Sequence, residues 1–107
     1  MILEHALLRV IPGHETQFEN DFKQAERIIS AAHGYRGHQL VRAIEDRSQY
    51  LLLVKWNSVQ AHADGFRKSA DYQRWKALLH HHYHPFPEVL YFELSDENGT
   101  NITFSEE

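Results

Sequence analysis

The stretch Tyr50–Trp75, YLLLVKWNSVQAHADGFRKSADYQRW, decides the fold. It opens with the run Tyr50–Val54, which is apolar at both odd and even positions. Because successive side chains of a strand point to opposite faces, this run predicts a strand that is covered on both faces. A chain of 107 residues has few helices with which to cover two faces, so the run also predicts a self-association surface. The stretch ends in an interrupted helical pattern that carries His62, Phe66, Tyr72 and Trp75.

Composition narrows the class of protein. The length indicates one domain, and the absence of cysteine excludes disulfides and thiolate chemistry. The N-terminus, MILEHALLRV, lacks the basic region of a signal peptide, and no apolar run approaches the ~20 residues of a membrane span. A net charge of −4 without a basic cluster argues against nucleic acid as a partner. We therefore expect a cytoplasmic protein that binds neither nucleic acid nor membrane.

Four strand patterns and two helical regions follow one another along the chain. An amphipathic helical stripe runs from His14 to Ala32 and stops at Gly34. The second helical region begins after Ser58, is weakened at Gly65, and can be capped again by Ser69. The strand patterns are Ile2–Ile11, Tyr35–Ile44, Tyr50–Trp56 and Val89–Leu94.

This order predicts an α+β fold of the ferredoxin-like βαββαβ type. Two helices would cover one face of a four-stranded antiparallel sheet, and a second copy of the chain would cover the other face in a homodimer. The domain would span residues 1–94. The acidic tail, residues 95–107, is either a frayed terminus or a hairpin turning at Asn98-Gly99, which a partner could exchange.

Several segments carry a family resemblance. They are ILEHALLRVIPGHE, GYRGHQL, LLLVKWNSVQAHADGFRKSADYQRW and PFPEVLYFE, and together they extend over residues 1–94. On these segments the chain resembles the antibiotic biosynthesis monooxygenase family of dimeric α+β barrels. The resemblance implies a homodimer with one pocket per subunit between sheet and helices. It also implies relatives that include cofactor-independent oxygenases of phenols, quinols and anthrones, haem-degrading enzymes, and members without an assigned reaction.

The residues expected of a haem-degrading relative differ here. That pattern has an asparagine on strand one, a tryptophan on the second helical region and a histidine ligand soon after. In this sequence His5, Phe66 and Lys76 stand near those positions. The departure makes haem an unlikely cofactor, although His80 and His81 follow about a turn later.

Two histidines are the candidate catalytic residues. His62 shares a helix face with Phe66 and could take a proton from a phenol-like substrate. His5 alternates with Leu3 and Leu7 and could face an apolar chamber. The alternatives are a surface histidine for His62 and a hydrogen-bonded core histidine for His5.

The other candidate pocket residues are less diagnostic. His38 follows Gly37, which could mark a bulge that redirects the side chain. Phe66 belongs to the same helix face as His62. Tyr72, Trp75 and Leu79 form a stripe that suits either core packing or an aromatic wall for a flat ligand.

The run His80–His84 suggests metal binding but does not establish it. His80 and His84 have helical i,i+4 spacing, but Pro85 opposes a continuous helix there. We expect no Asp, Glu or Cys to lie nearby and complete a ligand set, and therefore no metal.

The leading hypothesis is a small cofactor-independent monooxygenase that uses molecular oxygen as co-substrate for an aromatic, quinol-like molecule. The alternatives are a dimer that binds a small ligand without turnover and a haem-binding relative. A cavity filled by the protein's own side chains would favour binding, and an open cavity with convergent histidines would favour the enzyme.

Overall fold

Four strands form one antiparallel sheet in the order β2-β3-β1-β4. The computed structural model describes residues 1–94. The possible hairpin at Asn98-Gly99 falls outside these residues. The strands are β1 Ile2–Arg9, β2 Tyr35–Arg42, β3 Gln49–Trp56 and β4 Val89–Glu93.

Helical segments connect the strands in the predicted pattern. α1 spans Glu15–Ile29 and α2 spans Ala70–Leu79. A π-helical turn, Ala61–Phe66, precedes α2, and a 3₁₀ turn, His80–His82, follows it. The ferredoxin-like order and the two-helix cover are therefore confirmed.

Local sequence signals account for most element ends. Gly34 has φ +87°, a left-handed conformation that suits glycine after a helix. Ser69 caps α2 and accepts a hydrogen bond from the Tyr72 backbone N–H at 3.1 Å. The register shifts between Tyr35 and Gly37, which confirms the bulge. The expected short helix near His62 is a π-helical turn instead.

The helix-facing side of the sheet forms the core. On β3 the residues Tyr50, Leu52, Val54 and Trp56 are all buried, in strict alternation. α1 packs against them with a stripe that includes Phe18 and Ile29. Full burial of a side chain such as Phe18 implies a loss of about 3–5 kcal/mol on truncation to alanine.

The opposite side of the sheet remains apolar and uncovered within the described part of one chain. Its exposed members include Val41 at 42%, Leu90 at 44% and Phe92 at 46% of full exposure. Leu3, Leu7, Leu51 and Leu53 lie on the same face. We call this surface the open face. Its apolar character agrees with the sequence pattern, while the homodimer stays a prediction.

Among residues 1–94, none of the helices combines the length and the hydropathy needed to cross a bilayer.

Candidate functional site

A small cavity lies between the central strands and the helical segments. β1 contributes Glu4, Ala6 and Leu8 to its walls, and the π-helical turn contributes His62 and Phe66. The cavity volume is about 40 Å³. Because one water needs about 10–15 Å³ of such volume, the cavity has room for about two to four waters and is too small for an aromatic ring.

Glu4 is a buried carboxyl group in this wall. It is 5% exposed, and its Oε1 accepts a hydrogen bond from Trp56 Nε1 at 2.8 Å. Burial raises the pKa of Glu4 to about 7, although the Trp56 hydrogen bond opposes this shift. At neutral pH the group therefore exchanges readily between the carboxylic acid and the carboxylate.

His62 lies beside Glu4 and is 4% exposed. Its Nε2 is 3.5 Å from Glu4 Oε1, and its Nδ1 is 2.6 Å from the Tyr91 hydroxyl on β4. Burial, followed by the charge of Arg67, lowers the pKa of His62 to about 4. The imidazole is therefore neutral at physiological pH, is hydrogen-bonded to Tyr91 and lies close to Glu4 without a hydrogen bond to it.

The π-helical turn directs His62 and Phe66 towards the sheet together. The Arg67 N–H donates to the His62 carbonyl at 2.9 Å, which is the i→i+5 bond of a π-helix. The His62 and Phe66 rings stack with centroids 6.4 Å apart. Such turns are rare and occur often at functional sites.

Aromatic and basic side chains surround the cavity on its helical side. The Arg67 guanidinium lies 5.8 Å from the centre of the Tyr72 ring. His80 is half-buried, 3.5 Å from the Tyr72 hydroxyl and edge-on to Phe86. Burial, with a smaller effect of Lys76, lowers the pKa of His80 to about 4. This side of the cavity combines a permanent cation with flat apolar surfaces.

Comparisons with known proteins agree with this architecture. The family model described as antibiotic biosynthesis monooxygenase matches residues 1–78. The chain belongs to this family. The uncharacterized protein YczJ of Bacillus subtilis strain 168 is 47% identical over 93 residues, which cover 87% of this chain and 98% of YczJ.

Solved structures of the antibiotic biosynthesis monooxygenase family share the fold. A Bordetella bronchiseptica protein assigned to the family is 37% identical, with a TM-score of 0.83 and coverage of 86% of this chain and 94% of that chain. SnoaB from Streptomyces nogalater, a cofactor-independent oxygenase, is 15% identical, with a TM-score of 0.74. The match covers 89% of this chain and 94% of SnoaB. At this low identity it shows only that the two proteins share a fold.

Most of the residues that the sequence predicts for the pocket lie together in the structure. His62, Phe66, Tyr72 and Trp75 all line the cavity. Leu79 does not line it and is instead packed in the core at 1% exposure. Its neighbour His80, which was not among the predicted pocket residues, lines the cavity.

His5 and His38 lie elsewhere. His5 lies on the open face, where the centre of its ring is 5.6 Å from that of the Phe92 ring. His38 faces α1, where its Nε2 is 3.1 Å from Glu26 Oε1 and its Nδ1 contacts the Tyr35 hydroxyl. Neither residue lines the cavity with His62. Strand alternation places His5 on the opposite side of the sheet, and His38, which pairs with the buried Val54, is on the helix-facing side but on the edge strand β2, away from β1 and β4.

Sequence reasoning missed Glu4, the most perturbed carboxyl group of the site. Its signal was present, because Glu4 alternates with Ala6 and Leu8, which both point to the core. An acidic residue at a core position of a strand indicates either a buried partner or a function. The partner, Trp56, is 52 positions away and cannot be inferred from spacing.

Two observations bear on the expectation that the protein binds neither haem nor a metal. A cavity of about 40 Å³ is far smaller than a porphyrin, so haem would enter only with a much larger movement of the walls than a single aromatic ring requires. The carboxylate of Asp21 on α1 lies 2.8 Å from His82 Nε2, so the expectation that no acidic residue lies near His80–His84 was wrong. A helix through His84 is not formed, since α2 ends at Leu79.

Proposed function

We propose that the protein is a cofactor-independent monooxygenase that acts on a small phenol- or quinol-like aromatic molecule. The observation that carries the proposal is the buried Glu4, with a pKa of about 7, beside the neutral His62 at an aromatic-walled cavity. Membership of the monooxygenase family and the cofactor-independent chemistry of SnoaB support this assignment.

Glu4 is the better base of the pair. A general base works best when its pKa is close to the working pH, and Glu4 meets that condition. His62 is neutral, but a conjugate acid with a pKa of about 4 makes it a weak base. We therefore assign proton removal to Glu4 and substrate orientation to His62, which is a change from the role that spacing alone suggested.

The reaction needs only the substrate and O₂. Glu4 takes a proton from the ring hydroxyl or from an activated ring methylene, and the anion passes one electron to O₂. The two radicals combine into a peroxide, which loses water to leave a carbonyl group. In sum, a methylene and O₂ become a ketone and water, so one oxygen atom enters the product. The protein supplies the base, the orientation and the exclusion of water.

The proposal includes a homodimer built through the open face. Val41, Leu90 and Phe92 are each more than two-fifths exposed in one chain, and together with the leucines of β1 and β3 they form one apolar surface. A biological interface buries at least ~1,000 Å². A second copy of the same surface would remove these side chains from water.

A second candidate is a dimer that binds a small ligand without turnover. The small size of the cavity favours it, because a substrate ring enters only if wall residues such as Tyr72 or Phe86 move. If the protein is an enzyme, the return of these wall residues after substrate binding would exclude water from the reaction.

Oxygen consumption with a panel of hydroquinones, naphthols and anthrones tests the proposal. We expect turnover by the wild type, and a loss of about 10²–10⁴-fold in Glu4→Gln, which keeps shape and the Trp56 hydrogen bond. His33→Ala, at an exposed histidine, is the matched control and should retain full activity. Ligand binding without O₂ uptake across the panel would favour the non-catalytic candidate.

A further inference from the structure

A second cluster of ionisable side chains lies apart from the cavity. It joins the beginning of α1 to the 3₁₀ turn after α2, and none of its residues lines the cavity. One ligand-type atom from each of Asp21, His81 and His82 lies within 4.8 Å of the others. His82 is 2% exposed, Asp21 is partly buried, and His81 is exposed. The cluster is thus anchored in the core and open to solvent on one side.

The donor set is also one that binds metal ions. Two imidazoles and one carboxylate are the ligands of many zinc sites, with the fourth position left to water. Ligand distances of about 2.0–2.2 Å place the ligand atoms of a tetrahedral site roughly 3.4 Å apart. Asp21 Oδ2 and His82 Nε2 are hydrogen-bonded at 2.8 Å, so a metal would have to separate them by a few tenths of an ångström, and the exposed His81 ring lies against His82 with centroids 3.9 Å apart.

The carboxylate and the buried imidazole are both held in place by other side chains. Gln17 Nε2 donates to Asp21 Oδ1 at 3.2 Å, which leaves Oδ2 directed at His82. His14 Nδ1 is 3.2 Å from His82 Nδ1. When His82 Nε2 binds a metal, its proton is on Nδ1 and is donated to His14, an arrangement that fixes the tautomer of a ligand histidine.

We propose that Asp21, His81 and His82 bind one divalent transition-metal ion, with Zn²⁺ as the representative ion, and that His14 orients His82. The metal takes the place of the proton on His82 Nε2, and the neutral ligand ring then carries its one proton on Nδ1. It also ties α1 to the 3₁₀ turn, so the metal stabilises the folded chain. The site is independent of the proposed oxygenase reaction, whose residues it does not share.

Titration calorimetry of EDTA-dialysed protein with Zn²⁺ tests the site. We expect one Zn²⁺ per chain and a higher unfolding temperature with Zn²⁺. Asp21→Asn and His81→Ala should each weaken binding at least about tenfold, because even the loss of an outer partner costs about 10–100-fold. Both changes leave the buried His82 in place, so the fold should persist.

His33→Ala removes an exposed histidine at the other end of α1 and is the matched control, expected to bind Zn²⁺ as the wild type does. Failure of the wild type to bind one Zn²⁺ at micromolar concentration overturns the proposal. So does equal affinity in wild type, Asp21→Asn and His81→Ala, since binding would then come from scattered surface histidines.

Discussion

His62 Nε2 and Glu4 Oε1 lie 3.5 Å apart, with the two side chains only 5% and 7% exposed. Burial acts on them in opposite directions, raising the pKa of the carboxyl group to about 7 and lowering that of the imidazole to about 4. In water the imidazole is the stronger base of the two, and in this core the carboxylate is. The order of basicity is therefore reversed by folding.

The reversal predicts the pH dependence of turnover. If Glu4 is the base, kcat/KM should rise with pH and level off above an apparent pKa of about 7. If His62 were the base, the profile would already be level above about pH 5. His62→Ala should lower the rate but keep the inflection near 7. A level profile between pH 5 and 8 would exclude Glu4 as the base.

Glu4→Gln should make the protein more stable at high pH. The folded pKa is above the unfolded value of 4.5, so the favourable contribution of the protonated form is complete below 4.5 and is lost as pH rises through about 7. The difference corresponds to at most roughly 3 kcal/mol. Urea unfolding should show the variant more stable than wild type at pH 8.5 by about 1–3 kcal/mol.

The same comparison at pH 4.5 should show a much smaller gap, because Glu4 is then protonated in the folded state. Glu88→Gln, at an exposed carboxylate, is the control and should show no such pH-dependent gap. A gap that is equal at the two pH values would contradict the assignment of a raised pKa to Glu4.

The buried His62 should make the folded protein less stable in acid. Its folded pKa is below the unfolded value of 6.5, so its contribution is complete above 6.5 and is lost as pH falls towards about 4. Between pH 4.5 and 6.5, His62 makes the free energy of unfolding fall as pH falls, whereas Glu4 makes it rise. In Glu4→Gln only the effect of His62 remains, so the variant should lose stability faster than wild type when pH is lowered through this range. Parallel stability curves would contradict the prediction.

Gly34→Ala should damage both stability and the candidate site. Gly34 has φ +87°, and an added Cβ would lie 2.7 Å from the Ala61 Cβ, at the start of the π-helical turn. Backbone strain costs about 1–2 kcal/mol and overpacking a further 1–3 kcal/mol. Gly13 has φ +98° with nothing within 4 Å of the added Cβ, so Gly13→Ala should show the strain alone. Equal unfolding free energies for the two variants would contradict the contact.

Leu53→Asp should separate the proposed dimer. Leu53 lies on the open face, whereas its neighbour Leu52 is 4% exposed in the core. A charge on the open face should give a folded monomer in sedimentation at micromolar concentration. Gln24→Asp places the same charge on the exposed side of α1 and should leave the association state unchanged. A monomeric wild type would defeat the dimer proposal directly.

The sequence was sufficient for the fold because the decisive signals are local. The unbroken apolar run of β3, the stripe of α1 and the serine cap at Ser69 each depend on residues a few positions apart. The site was only partly predictable, because its contacts span long separations. Glu4 meets Trp56, and His62 meets Tyr91 across 29 positions, neither of which has a periodic signature. The contact between Asp21 and His82 could not be predicted for the same reason.

The π-helical turn also has a consequence for how relatives of this chain can diverge. A π-helical hydrogen bond encloses one residue more than an α-helical one, so deleting a single residue within Ala61–Phe66 would allow an ordinary α-helix. A deletion between His62 and Phe66 would leave the two residues three positions apart, and residues at that spacing are still neighbours on one face of an α-helix. Relatives that lack one residue here are therefore expected to keep the fold and the pairing of these two side chains, and a homologue's length between Ser58 and Ser69 should indicate whether it has the π-helical turn.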